Sequence, residues 1–267
     1  IKFILSEKQY LYIPQQVKKI GELHSVLQSH HSAIVVGPTC SGKSVIINVL
    51  TTIDGEVDDY SRRVIISPKA FPKEELYGVK CSVTNEWVDG YLTSGLKYVN
   101  KNPSINNKYF LIFDGQMDPS WIGDITSLLD DKKMVTLPNS ETIYLNENVA
   151  IIFETGSIEH LSPDILSRIG IVHVASSDLP YRTYWTKFLL QRKDADMLSQ
   201  FYEKYIQHVI DVTCDASSSE LIERSLTFFI PQCTLNMLIQ FCELISSLIP
   251  PPKYYSDESS VEYEEIS

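Results

Sequence analysis

The 267-residue sequence has no apolar run long enough to cross a membrane, no C-x-x-C pair, no H-E-x-x-H and no G-x-S-x-G. The first absence argues against a helical membrane span, and the others remove the usual zinc, dithiol and serine-hydrolase signatures. A basic-then-apolar leader is also missing, so the expectation is an intracellular chain. The first residue is Ile1 rather than Met, which predicts a piece excised from something longer. Bases are scarce: 23 Lys and Arg face 34 Asp and Glu, for a net charge of −11. Such a balance disfavours a surface that tracks nucleic-acid phosphates, so neither nucleic acid nor membrane is an expected partner. The five cysteines are odd in number and widely spaced, as structural thiols are.

What is present is ordinary globular material, 43% hydrophobic and 21% charged, enough for one or two domains with a core. Val17, Ile20, Leu23 and Leu27 recur at helical spacing, and Ser32–Val36 then forms an apolar run ending at Gly37. Similar uninterrupted runs follow at Val64–Ile66, Tyr109–Phe113, Val149–Phe153 and Ile171–Val174. Runs without alternation are what parallel strands covered on both faces require, and the segments between them leave room for crossover helices. The expected fold class is α/β, a three-layer αβα domain around a parallel sheet, spanning 1–177. Within it, Met134–Leu137 and Thr142–Leu145 read as two short strands about a turn. After about Pro180 the stripes Leu198, Phe201, Tyr205, Val209 and Leu235, Leu238, Cys242, Ile245 predict amphipathic helices, a smaller helical domain over 178–250. Residues 251–267 hold one Lys and five acids among Ser and Tyr, as a solvated connector or tail does.

Gly37-Pro38-Thr39-Cys40-Ser41-Gly42-Lys43-Ser44 satisfies G-x-x-x-x-G-K-[ST] between an apolar strand and a helical pattern. The glycines let successive N–H groups turn inward on phosphate oxygens, and the following helix adds its positive end. Lys43 is placed to reach the β- and γ-phosphates of ATP, or the β-phosphate of ADP, and the Ser44 hydroxyl to ligate Mg²⁺. Asp114 closes the Tyr109–Phe113 run, where a metal-holding carboxylate is needed. The next residue is Gly115, whereas hydrolysing proteins of this architecture carry Glu there to deprotonate the attacking water. The site is therefore expected to bind nucleotide and barely turn it over. Gln116 and Asp118 follow in sequence but beyond the strand end.

Taken with Ser67–Ala70, Glu75–Gly78, Glu86–Gly90, Ile112–Gly115, Asp118–Trp121, Leu128–Asp131, Ile152–Glu154 and Ser162–Arg168, this motif resembles the second AAA+ module of a dynein heavy chain. The resemblance is dense from Val17 to Val174 and thinner to Pro250. It implies an AAA+ domain with a helical lid, belonging to a minus-end-directed microtubule motor. It further implies two inserts, one between Gly78 and Trp87 and a hairpin at about Met134–Leu145, that face the motor's mechanical linker. An ordinary surface hairpin shows the same sequence pattern. The implied partners are neighbouring AAA+ modules of the same heavy chain and, through the parent, intermediate and light chains and microtubules. The implied location is cytoplasmic and cytoskeletal, with cilium or flagellum as an alternative. Asp118–Trp121 and Leu137–Glu141 resemble the cytoplasmic and intraflagellar kinds more than the axonemal.

Against this family, Glu154 stands where hydrolysing members carry Asn to position water. An ionised carboxylate donates no hydrogen bond and repels a γ-phosphate unless Lys43 or Mg²⁺ intervenes. No Lys, Arg or His occurs from Pro231 to Pro250, so no basic lid residue is available there. Arg168 matches the family's arginine finger, which acts on the nucleotide of the preceding module; an arginine near a helix C-terminus is the plainer reading. Trp87, Trp121 and Trp185 are expected core anchors, the histidines packing or surface residues, and Asp130–Lys133 a solvated charged face. A self-sufficient ring ATPase of the chelatase or ribosome-assembly kind is the first alternative, and Gly115 counts against it. A P-loop kinase is the second, opposed by the shortage of arginines after Arg224.

Overall fold

Five apolar runs pair side by side as a parallel sheet in the computed structural model: β1 (Ser32–Val36), β2 (Arg63–Ile66), β5 (Tyr109–Asp114), β8 (Val149–Thr155) and β9 (Gly170–His173), in the order β2-β5-β8-β1-β9. The structure describes residues 1–8, 10–53, 62–81, 85–101, 108–190, 192, 194–206, 208–209 and 233–249. They fall into two compact units, with the boundary between Leu179 and Pro180. The 251–267 stretch, Cys214 and Arg224 lie outside the described residues.

Period-two geometry sorts the strand side chains onto the two faces. Ile34, Val36, Leu111, Phe113, Ile151 and Phe153 point into one cluster, which includes Leu92 and Leu96 of α5 (Tyr91–Val99). Ala33, Val35, Phe110, Ile112, Ala150 and Ile152 point into the other, covered by α2 (Pro14–Ser29) and α3 (Lys43–Ile53). This is the three-layer αβα architecture. Helix α2 starts at Pro14, where a missing N–H costs nothing, and buries Ile20 and Leu23 one turn apart. A fully buried Leu or Ile side chain contributes about 1.5–3 kcal/mol, so the two clusters, not propensity, hold the layers together.

Two antiparallel hairpins accompany the sheet: β3 (Gly78–Lys80) with β4 (Trp87–Asp89), and β6 (Met134–Thr136) with β7 (Thr142–Tyr144). Both are tied to α5. Lys97 Nζ donates to both Asp89 carboxylate oxygens, at 3.0 and 2.8 Å, and to Glu141 Oε2 at 3.1 Å. The bond to Asp89 raises the Lys97 pKa; burial opposes the rise, and the Glu141 bond adds to it. The Asn100 side chain donates to the Tyr144 carbonyl at 2.7 Å and accepts from the Asn146 N–H at 3.1 Å.

In the second unit, α9 (Arg182–Leu190), α10 (Ala195–Phe201) and α11 (Thr234–Leu248) pack around Trp185, whose ring stacks on Tyr202 at 4.6 Å. Leu238 and Cys242 are buried there, and burial pushes the Cys242 thiol up to about 12. The expected stripe Leu198, Phe201, Tyr205, Val209 does not form as such: Leu198 is buried, whereas the other three are about half exposed. A π-helical turn over Tyr202–Ile206 shifts the phase and sends Tyr202 inward instead. Trp121 and Trp185 are core residues, but Trp87 is only half-buried. Its ring lies over Gly78 and its indole N–H donates to Asp89 Oδ1 at 3.0 Å. Among the described residues no helix is long and apolar enough to cross a membrane.

Ile151 is fully buried in the central strand while Ile65 on the edge strand is 60% exposed. Ile151→Ala should lower unfolding free energy by about 2–5 kcal/mol and Ile65→Ala by less than about 0.5 kcal/mol, as read by urea denaturation. Equal losses would contradict the packing described.

Candidate nucleotide site

The C-terminal ends of β1, β8 and β5 bring the sequence-marked residues together. Strand β1 runs into Gly37, and α3 begins at Lys43, so the loop between them must reverse direction within a few residues. Gly42 has φ +90° and Cys40 φ +61°. The first is glycine territory; the second places a non-glycine residue in the left-handed region, a strain typical of functional turns. A Cβ at Gly37 would collide with the Val174 carbonyl, and the Gln16 amide lies against Gly42. Pro38 and Thr39 are exposed, Ser41 is buried, and the Ser41 hydroxyl donates to the Pro38 carbonyl at 2.9 Å.

Lys43 is 9% exposed, and its ammonium donates to the Gly37 carbonyl at 2.9 Å and to the Pro38 carbonyl at 2.7 Å. A buried cation bonded to backbone carbonyls rather than to a carboxylate is a charge awaiting an anion. The adjacent start of α3 favours that anion further. The cradle therefore fits a polyphosphate on its own geometry.

Opposite the loop, in-register pairing sets Asp114 beside Glu154 and Glu154 beside Val35. Both carboxylates share the strand parity of Ile112 and Ile152, so both are directed to the α3 face, where Ser44 lies in the first turn of the helix. Ser44 Oγ donates to Glu154 Oε1 at 2.6 Å. Burial, and then the negative charge of Asp114, raises the Glu154 pKa; the Ser44 bond and Lys43 oppose the rise. Asp114 and Ser44 are oxygen donors of the kind a hard divalent cation takes. Gly115 follows with φ +137°, its N–H donating to the Glu154 carbonyl at 3.0 Å. An L-residue rarely adopts that conformation, so this position resists any side chain.

Gln116 and Asp118 are not aimed at this site. Gln116 Oε1 accepts from Lys69 at 3.0 Å, and Asp118 accepts from the Ser120 N–H at the start of α6 (Pro119–Ile122), which lowers its pKa.

Arg168 lies at the other end of the sheet. It follows α8 (Pro163–Leu166), and its guanidinium pairs with Asp130 and, at 3.0 Å, with Asp164. The Asp130–Lys133 run is thus not a purely solvated face, since Asp130 holds Arg168. No local pattern could reveal this, because the partners meet only once β9 joins the sheet. A cavity of about 960 Å³ opens beside Arg168 and is also lined by His31, Lys108, Lys133 and Glu147. It is not the phosphate cradle; its lining mixes both charge signs, and it contains none of the residues Gly37–Ser44. The His31 ring meets the Leu128 carbonyl at 2.9 Å, and its pKa is lowered chiefly by burial.

The family model for the AAA domain (dynein-related subfamily) matches residues 32–169. The chain is 32% identical over 252 residues to dynein axonemal heavy chain 10 of Homo sapiens, covering 93% of this chain. It is 33% identical over 253 residues to the dynein-1-alpha heavy chain of the flagellar inner arm I1 complex of Chlamydomonas reinhardtii, again covering 93%. Cytoplasmic dynein 2 heavy chain 1 of Homo sapiens is 30% identical over 217 residues, 79% of this chain. Identity hardly separates these kinds, although the axonemal and flagellar matches are longer. The chain spans only 5–6% of the length of these relatives. Strand order, phosphate cradle and sequence kinship agree, and the chain belongs to the AAA domain family of the dynein-related subfamily.

Proposed function

We propose that this chain is the second AAA+ module of a dynein heavy chain, holding ATP or ADP with Mg²⁺ and hydrolysing it poorly. The observation that carries the reading is the pair Gly115 and Glu154. The strand end that should present a base to water has no side chain and a backbone that disfavours one. The neighbouring strand end, where a neutral donor would steady that water, instead presents a carboxylate bonded to Ser44. Lys43, Ser44 and Asp114 grip the polyphosphate and its cation, and Glu154 borders them. What the cation supplies when bound is neutralisation of phosphate charge. The residues of this chain bind and orient but do not activate water. A self-sufficient ring ATPase is not favoured, since it needs that base and since kinship runs to dynein heavy chains.

Arg168 serves the preceding module. It sits at the opposite end of strands about five residues long, roughly 17 Å from the phosphate cradle at 3.3 Å per residue, too far to act on its own nucleotide. It is surface-accessible and stands at the rim of a cavity that a neighbour can enter. Asp130 and Asp164 hold it, so a neighbouring polyphosphate must compete with them for the guanidinium. The hairpins joined through Lys97 form the face turned to the mechanical linker. The parent works as a minus-end-directed microtubule motor with intermediate and light chains, on the cytoskeleton of the cytoplasm or a cilium.

Three outcomes test the reading. Saturating Mg·ADP should raise the melting temperature of the chain and Lys43→Ala should abolish the rise, because a ligand at a hundredfold excess over Kd stabilises the folded state by about 2.7 kcal/mol. Phosphate release by the isolated chain should stay below about 0.1 per second, against roughly 10 per second for a typical enzyme; brisk release overturns the idle-site assignment. In the full motor, Arg168→Ala should slow ATP turnover at the preceding module by about 10³-fold or more while leaving nucleotide bound at Lys43. An unchanged motor rate removes the finger role.

A further inference from the structure

The acidic residue at the end of β8 has a second consequence, which rests on the nucleotide reading above. A serine hydroxyl has one proton and two lone pairs, so it can face a cation only if its proton is accepted elsewhere. Ser44 gives that proton to Glu154 Oε1 at 2.6 Å. Asp114, one strand further along the sheet, is exposed and no side-chain hydrogen bond engages its carboxylate among the described residues. The two acids therefore divide the work: one fixes the hydroxyl, the other stays open to solvent and to a cation. They are registered neighbours on strands about 4.8 Å apart, so each charge weighs on the other. Lys43, the nearby cation, is turned to backbone carbonyls.

We infer that Glu154 is a positioning residue that couples nucleotide binding to a divalent cation. It orients the Ser44 oxygen for the metal, and its charge opposes polyphosphate entry when no metal accompanies it. Residues that orient a metal ligand from behind typically change metal affinity 10–100-fold when removed. A catalytic asparagine at this position would donate to water; the glutamate cannot, and acts on the metal ligand instead.

The measurement is ADP affinity of the chain by isothermal titration, once with Mg²⁺ and once with EDTA, compared as the ratio of the two Kd values. The unaltered chain should show the largest ratio. In Glu154→Ala the ratio should fall at least about tenfold, partly because ADP without metal binds more tightly once the opposing charge is gone. Glu154→Gln keeps an acceptor oxygen and the side-chain shape but loses the charge, so its ratio should lie between the two. It also keeps the test open if the alanine variant does not fold. In the Ser44→Ala background the Glu154→Gln effect should shrink, because the positioned hydroxyl is missing. A ratio unchanged in Glu154→Gln, or a variant that weakens ADP equally with and without Mg²⁺, overturns the inference alone. Failure of the unaltered chain to bind ADP under either condition overturns the nucleotide reading and this inference with it.

Discussion

Everything chemical in the first unit depends on the in-register parallel pairing of β5, β8 and β1. Val35, Glu154 and Asp114 form one row across three strands, and the phosphate loop leaves β1 directly after that row. Because side chains alternate, slipping any of these strands by one residue would send its functional group to the opposite face and its apolar partners to the wrong cluster. The two cores prevent the slip. Phe110 and Ile112 belong to one and Leu111 and Phe113 to the other, so a shifted register would exchange large aromatic rings between faces already filled. Packing far from the ligand thus fixes the distance between a hydroxyl and a carboxylate.

The same sheet separates two kinds of charge. At the C-terminal strand ends a buried cation, two carboxylates and a helix N-terminus converge, and burial, with Asp114 alongside, raises the Glu154 pKa. At the N-terminal ends Arg168 is already matched by Asp130 and Asp164. At one end the Lys43 ammonium is bonded to backbone carbonyls, and under the function proposed above the other end would exchange partners to meet a neighbour's polyphosphate. The partly exposed Arg168 pairs are the type worth little in water, so exchanging them is inexpensive.

The strands, α2, the phosphate loop and the β6–β7 hairpin were legible because each is written locally, as an uninterrupted apolar run, a helical period, a glycine-lysine spacing or a turn between strands. What could not be read is what depends on register. Apolar runs such as Tyr109–Phe113 carry no alternation, so neither which residues face α3 nor the pairing of Asp114 with Glu154 was visible. The β3–β4 hairpin was missed as strands because each is three residues long and carries exposed Val79 and Val88 rather than a buried face. Trp87 was read from residue type, which predicts burial only where a second layer exists. The helical stripe failed at Tyr205 because a π-turn over Tyr202–Ile206 breaks the 3.6-residue period and brings Tyr202 inward, and no composition signal marks such a turn.

The idleness proposed for this site would also be hard to reverse by a single change. Restoring a glutamate at position 115 would place a side chain at φ +137°, a region that costs of order 1–3 kcal/mol outside glycine, or would force the backbone to move. The N–H that would move is bonded to the Glu154 carbonyl, so relaxing position 115 disturbs the strand end that carries the carboxylate on Ser44. Replacing Glu154 alone would free the Ser44 proton without supplying a base. The two departures therefore support each other through one backbone bond and one side-chain bond. Either alone looks like a lost catalytic group, whereas together they form a connected arrangement suited to holding a nucleotide still.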